Sequence, residues 1–239
     1  MKFLYILALM GLCSFLGNKN AENVLHDMHK RYAGKWYRNF TFNQTTEQYR
    51  NDSLVRTSTW YEAIIFPDKF RIDFGDGKDS NAVIYLKDSV YSFRKGKLVR
   101  KTLNDDDLTF LLGGMYFYSF DSVKAKIRRQ GYDLAKFHEN IWQGQPVYVI
   151  GASDATEKAN QLWIDKEKLI VLKFIKFDGG EKEEGRFSGH QPFGNGWSET
   201  ACDFYVNDTL VQKEKYHDCK ADVEVDKGIF DPYHFVGRK

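Results

Sequence analysis

Ala63-Ile64-Ile65-Phe66-Pro67-Asp68-Lys69-Phe70-Arg71-Ile72-Asp73-Phe74 decides the architecture. Its opening residues are apolar and suit a strand. Pro67-Asp68 breaks the run and turns the chain. Phe70, Ile72 and Phe74 then alternate with Arg71 and Asp73, the period of a half-buried strand. So short a connection joins antiparallel neighbours. Gly75-Asp76-Gly77 closes the second strand.

The same grammar extends in both directions. Downstream, residues 83–86, 90–94 and 97–101 are short strands joined at Lys87-Asp88 and Lys95-Gly96, which is hairpin spacing. Upstream, residues 36–42 and 54–66 are rich in aromatic and β-branched side chains. Further strands are expected at 137–142, 147–152, 161–164, 169–177, 197–206 and 210–225, the last two flanking Asn207-Asp208. Glu181, Glu183 and Glu184 read as an exposed acidic loop. Residues 22–33 form a helix with Val24, Leu25, Met28 and Tyr32 on one stripe, stopped by Gly34. A helical insertion follows Asn104-Asp105-Asp106-Asp107, whose acids suit a helix start. Gly113-Gly114 divides its first half into two short turns, and 121–130 is a second helix. The tail 228–235 reads as a docked apolar end.

About ten antiparallel strands in sequence order form a large sheet, and large sheets tend to curl. The expected fold is mainly β with a helical cover. Its strongly curved antiparallel sheet forms an incomplete barrel around an apolar cavity. Residues 22–239 make one domain.

Residues 1–21 read as a secretory signal: Lys2, an apolar core of about a dozen residues, then a polar stretch. The apolar run falls short of the roughly 20 residues that a membrane span needs. Cys13 offers an alternative, lipidation, although Leu12 precedes it where a small residue is expected. The chain has 35 Lys and Arg against 33 Asp and Glu. Lys2 and Lys19 leave with the signal, which balances the remainder. Such a chain has no net positive field with which to hold nucleic acid. Export permits a disulfide between Cys202 and Cys219. However, a tight hairpin at Asn207-Asp208 sets Cys202 opposite Lys213, so two buried thiols remain an equal reading.

No nucleophile elbow, zinc-protease motif, phosphate loop or dinucleotide fingerprint is present. The histidines are scattered, and the aspartate run lacks the spacing of a calcium loop. No metal, cofactor or catalytic residue is expected. Aromatic and aliphatic side chains on a curved sheet suit an apolar ligand, each buried CH₂ of which contributes roughly 0.8 kcal/mol.

The layout resembles the periplasmic lipoprotein-localisation carriers and their outer-membrane lipoprotein-sorting relatives. The likeness rests on the helix before Lys35-Trp36-Tyr37, on Phe66-Pro67-Asp68-Lys69-Phe70-Arg71, and on 82–93. It continues through the central helices to 147–150 and 161–165. The resemblance implies a lipid-facing role for Ile64, Phe66, Ile84, Leu86, Leu111, Leu112 and Met115. It also implies a non-enzymatic monomer in the periplasm, tethered to the outer membrane if Cys13 is lipidated. Such a protein would carry an acyl lipid or lipid-modified protein between a membrane-associated donor and acceptor. The extended 176–200 region and the late cysteines depart from that pattern. Two other functions stay open. One is an exported module binding protein or glycan through Trp142 or Trp197. The other is a lipid or glycan hydrolase, which requires converging carboxylates.

Overall fold

The computed structural model describes residues 19–75, 79–104 and 108–238. Residues 1–18 of the expected signal, with Cys13, lie outside these residues. So do Asp76-Gly77 and Asp105-Asp106-Asp107.

Helix α1 (Ala21–Tyr32) opens the described chain. The Asn20 side chain caps it by accepting a hydrogen bond from the Asn23 amide. Its stripe of Ala21, Val24, Leu25, Met28 and Tyr32 is fully buried. Long strands β1 (Asn39–Arg50) and β2 (Ser53–Ile65) follow, and then the meander β3 (Lys69–Phe74), β4 (Asn81–Leu86), β5 (Ser89–Arg94) and β6 (Lys97–Leu103). Their hairpins turn where residues such as Asn51-Asp52 and Lys95-Gly96 take positive φ, as two-residue turns require.

Helix α2 (Leu108–Leu111) and a 3₁₀ turn (Gly114–Phe117) meet at Gly113, as the glycine pair predicts, before α3 (Phe120–Arg129). The remaining strands are β7 (Phe137–Trp142), β8 (Gln145–Ile150), β9 (Gln161–Asp165), β10 (Val171–Asp178), β11 (Glu181–Ser188), β12 (Gln191–Phe193), β13 (Gly196–Ser198), β14 (Ala201–Val206) and β15 (Thr209–Ala221). A second 3₁₀ turn (Lys227–Phe230) docks the tail, with Phe230 buried.

Thirteen strands form one sheet in the order β6-β5-β4-β3-β2-β1-β15-β14-β11-β10-β9-β8-β7; β12 and β13 pair separately. Every pairing in the large sheet is antiparallel. Chain order is broken twice, where β15 docks beside β1 and where β14 pairs with β11.

This corrects the expected fold. The architecture is a mixed α/β one, and its sheet is not strongly curled or closed into an incomplete barrel. The order is linear and ends at two edges, β6 and β7. Curling is one way for a large sheet to bury an apolar face. Here the helices bury it instead: Val24, Leu25 and Met28 of α1, Leu111 of α2 and Val123 and Ile127 of α3 share one core with Phe40, Val147 and Leu162 of the sheet.

A second correction concerns 181–188. The acidic segment is strand β11, and Glu184 is buried. Lys182 and Arg186 pair with its carboxylate at 3.3 and 2.6 Å. Trp197 and Val206 also fall on different strands, β13 and β14.

The opposite face carries a smaller core of Ile84, Tyr91, Phe93 and Phe230, against which Phe235 packs. Arg71, only 2% exposed, ties the tail down there. Its Nε and Nη2 donate to Asp73 at 2.8 and 2.6 Å. Nη1 and Nη2 donate to the carbonyls of Ile229 and Val236 at 2.6 and 2.8 Å.

Candidate functional site

Strand register decides what the helix-covered face presents. Tyr85, Phe70, Ile64 and Phe40 stand opposite one another from β4 to β1. In the next row Val83, Ile72, Glu62 and Phe42 align, followed by Phe74, Trp60, Gln44 and Tyr216. Thr46, Glu214 and Cys202 continue the face across β1, β15 and β14. The face grades from aromatic and aliphatic to polar.

A cavity of about 300 Å³ lies against it. Phe40, Phe42, Trp60, Phe70, Phe204 and Tyr216 supply sheet-side rings; Leu108, Thr109 and Leu112 close the helical side. Ser198, which ends β13, and Glu199 after it form another wall.

Three of the seven residues expected to face lipid line this space: Ile64, Phe66 and Leu112. Leu111 and Met115 are buried in the main core behind it. Ile84 and Leu86 belong to the smaller core on the other face. Because Tyr85 pairs with Phe70, it is Tyr85 that faces the cavity and Ile84 that turns toward the tail.

The sequence reading missed the carboxyl groups. Glu62, Glu199 and Glu214 all line the cavity. Glu62 and Glu199 are 8% and 7% exposed. Neither carboxyl is bonded to another residue's side chain among the described residues. Glu214 accepts from Gln212 Nε2 at 2.6 Å and from the Tyr216 hydroxyl at 3.1 Å. Burial pushes all three toward the neutral acid: Glu199 and Glu214 up to about 7, and Glu62 well above the usual carboxylate range, with Glu214 and Glu199 adding to the Glu62 shift.

Cys202 and Cys219 are free thiols in this structure. A bulge between Phe204 and Tyr205 sets Cys202 opposite Glu214, one residue past the Lys213 expected from a regular hairpin. The Cys202 sulfur lies 3.2 Å from the Tyr216 hydroxyl. Trp142 and Trp197 are partly buried against the main core, and Lys173 and Lys168 stand over their rings at 5.4 and 5.6 Å. Among the described residues no His/Cys/Asp/Glu group could hold a metal ion. No described helix is long and apolar enough to cross a membrane.

Solved structures repeat this arrangement of strands and helices. A DUF1329 family protein from Desulfovibrio piger superposes with a TM-score of 0.62 at 13% identity, over 88% of this chain and 95% of its own. A LolA superfamily protein from Nitrosomonas europaea gives 0.58 at 12% identity, over 89% and 98%. A domain of the outer membrane lipoprotein-sorting type from Vibrio parahaemolyticus gives 0.56 at 12% identity, over 90% and 97%. At 12–13% identity these likenesses show a shared fold. The likeness covers nearly the whole described chain. No family model matches the sequence, and no curated protein matches it.

Proposed function

We propose that this protein is a non-enzymatic, exported binding protein that carries an acyl lipid or lipid-modified protein in the periplasm. The observation that carries this reading is the apolar cavity between sheet and helices, with Ile64, Phe66 and Leu112 in its walls. Apolar pockets with few polar groups suit such cargo. The fold shared with lipoprotein-sorting proteins supports the same reading.

The carboxyl groups do not favour a hydrolase. Carboxylate-based glycoside hydrolysis needs one acid kept protonated and one kept ionised, in environments that push the pair apart. Here all three are pushed the same way.

The test is to purify the protein gently, extract it with organic solvent and analyse the extract for acyl lipid. Lipid in stoichiometric amount is expected, and Leu112→Trp, which fills the cavity, should reduce it severalfold. A lipid-free wild-type preparation that also takes up no acyl probe would overturn the proposal.

A further inference from the structure

The cavity gathers acidic side chains without a cationic one to face them. Glu62 and Glu199 are more than nine-tenths buried, line the space and have no side-chain partner among the described residues. Gln44, 1% exposed, stands beside Trp60 and Tyr216 in the same face, and its Oε1 has no hydrogen-bond partner among the described residues. No lysine, arginine or histidine lines the cavity among the described residues. The buried Gln44 Oε1 is costly to leave unsatisfied. That cost falls away when a ligand brings donors.

We propose that the cavity selects its cargo by charge, taking an amphiphile that carries a protonated amine beside its apolar chain. This rests on the carrier reading and narrows it. An ammonium group offers three donors and no acceptor, which matches the unmet groups. Phe42, Trp60, Phe204 and Tyr216 line the same space, and aromatic rings attract a desolvated cation over their faces. A carboxylate or phosphate head would instead meet acidic oxygens and rings with no counter-charge. Burial holds Glu199 and Glu214 up to about 7, so an arriving cation can draw them into the ionised form.

The test compares dodecylamine, dodecanol and dodecanoate, which share one chain and differ in the head. Binding to the intact protein is followed by titration calorimetry at mildly alkaline pH, below micelle formation. Dodecylamine is expected to bind at least about tenfold tighter than dodecanol, with dodecanoate weakest. In Glu62→Gln and Glu199→Gln the ratio of amine to alcohol affinity should fall toward parity. Equal binding of amine and alcohol by the wild type, or a preference for dodecanoate, overturns the charge selection and leaves the carrier reading standing. A preference that survives both substitutions overturns the assignment to these carboxyls. Failure of all three probes to bind overturns the carrier reading and this proposal together.

Discussion

Arg71 shows how one side chain can hold two parts of the chain together. It sits on β3 yet fastens residues 229–236 through two carbonyls, with Asp73 neutralising it and the Phe235 ring 4.9 Å from its guanidinium carbon. Arg71→Ala strands Asp73 under the tail, and breaking a buried pair this way costs about 3 kcal/mol or more. Limited proteolysis should then cut the tail first, and a denaturant midpoint should report the loss. Glu214 makes a second residue-level prediction. Its folded acid is held at about 7 against 4.5 in the open chain. The folded state therefore keeps its proton while the unfolded state releases it. The Glu214 contribution is present below pH about 4.5 and is lost as pH rises toward about 7. His190, depressed to about 4 by burial, acts oppositely between about 4 and 6.5. The variant isolates the carboxyl: Glu214→Gln should gain on the wild type by up to roughly 3 kcal/mol across that window. Thermal melts at a series of pH values check the sign.

At the scale of elements, Gly113 joins α2 to the 3₁₀ turn at φ +153°, and a Cβ there would come within 2.5 Å of Trp36 Nε1. Gly113→Ala should therefore cost about 1–3 kcal/mol through overpacking and weaken the cover over the cavity, seen as a lower melting temperature. Asn20→Ala removes the α1 cap at a cost of about 1 kcal/mol, read the same way. The strands from β2 to β6 and the split helical insertion were legible because turn residues and period 2 are local signals. Strand β4 shows where local signals end. Ala82-Val83-Ile84-Tyr85-Leu86 is apolar at every position, so no alternation says which parity faces the cavity; pairing with β3 decides. Strand β11 was hidden because Glu181-Lys182-Glu183-Glu184 has the composition of a loop. Its buried Glu184 is tolerated through Lys182 and Arg186 beside it and Lys173 on β10 at 4.0 Å. Glu62 and Glu214 line one cavity from strands far apart in the chain, a convergence no local pattern carries.

For the whole molecule, one open sheet does two jobs. One face carries the cavity and helices, and the other carries the smaller core and the tail. Whether a sheet closes depends on its edge strands finding each other, which is a long-range event without a sequence signature. Here β6 stays an edge. Lys97, Arg100 and Lys101 on it are the charges with which natural edges resist sheet-to-sheet association. The free thiols give this architecture a built-in clock. Cys202 on β14 is buried beside the cavity floor, whereas Cys219 is half-buried on the neighbouring strand, β15. A maleimide reaches Cys202 only when the floor parts, so its labelling rate counts opening events and Cys219 supplies the reference. Labelling of Cys202 should be at least about tenfold slower than that of Cys219. Mass spectrometry of peptides sampled over time reads both rates at once. Cargo that fills the cavity should stretch the interval at Cys202 and leave the reference unchanged, which turns residence in the cavity into elapsed time.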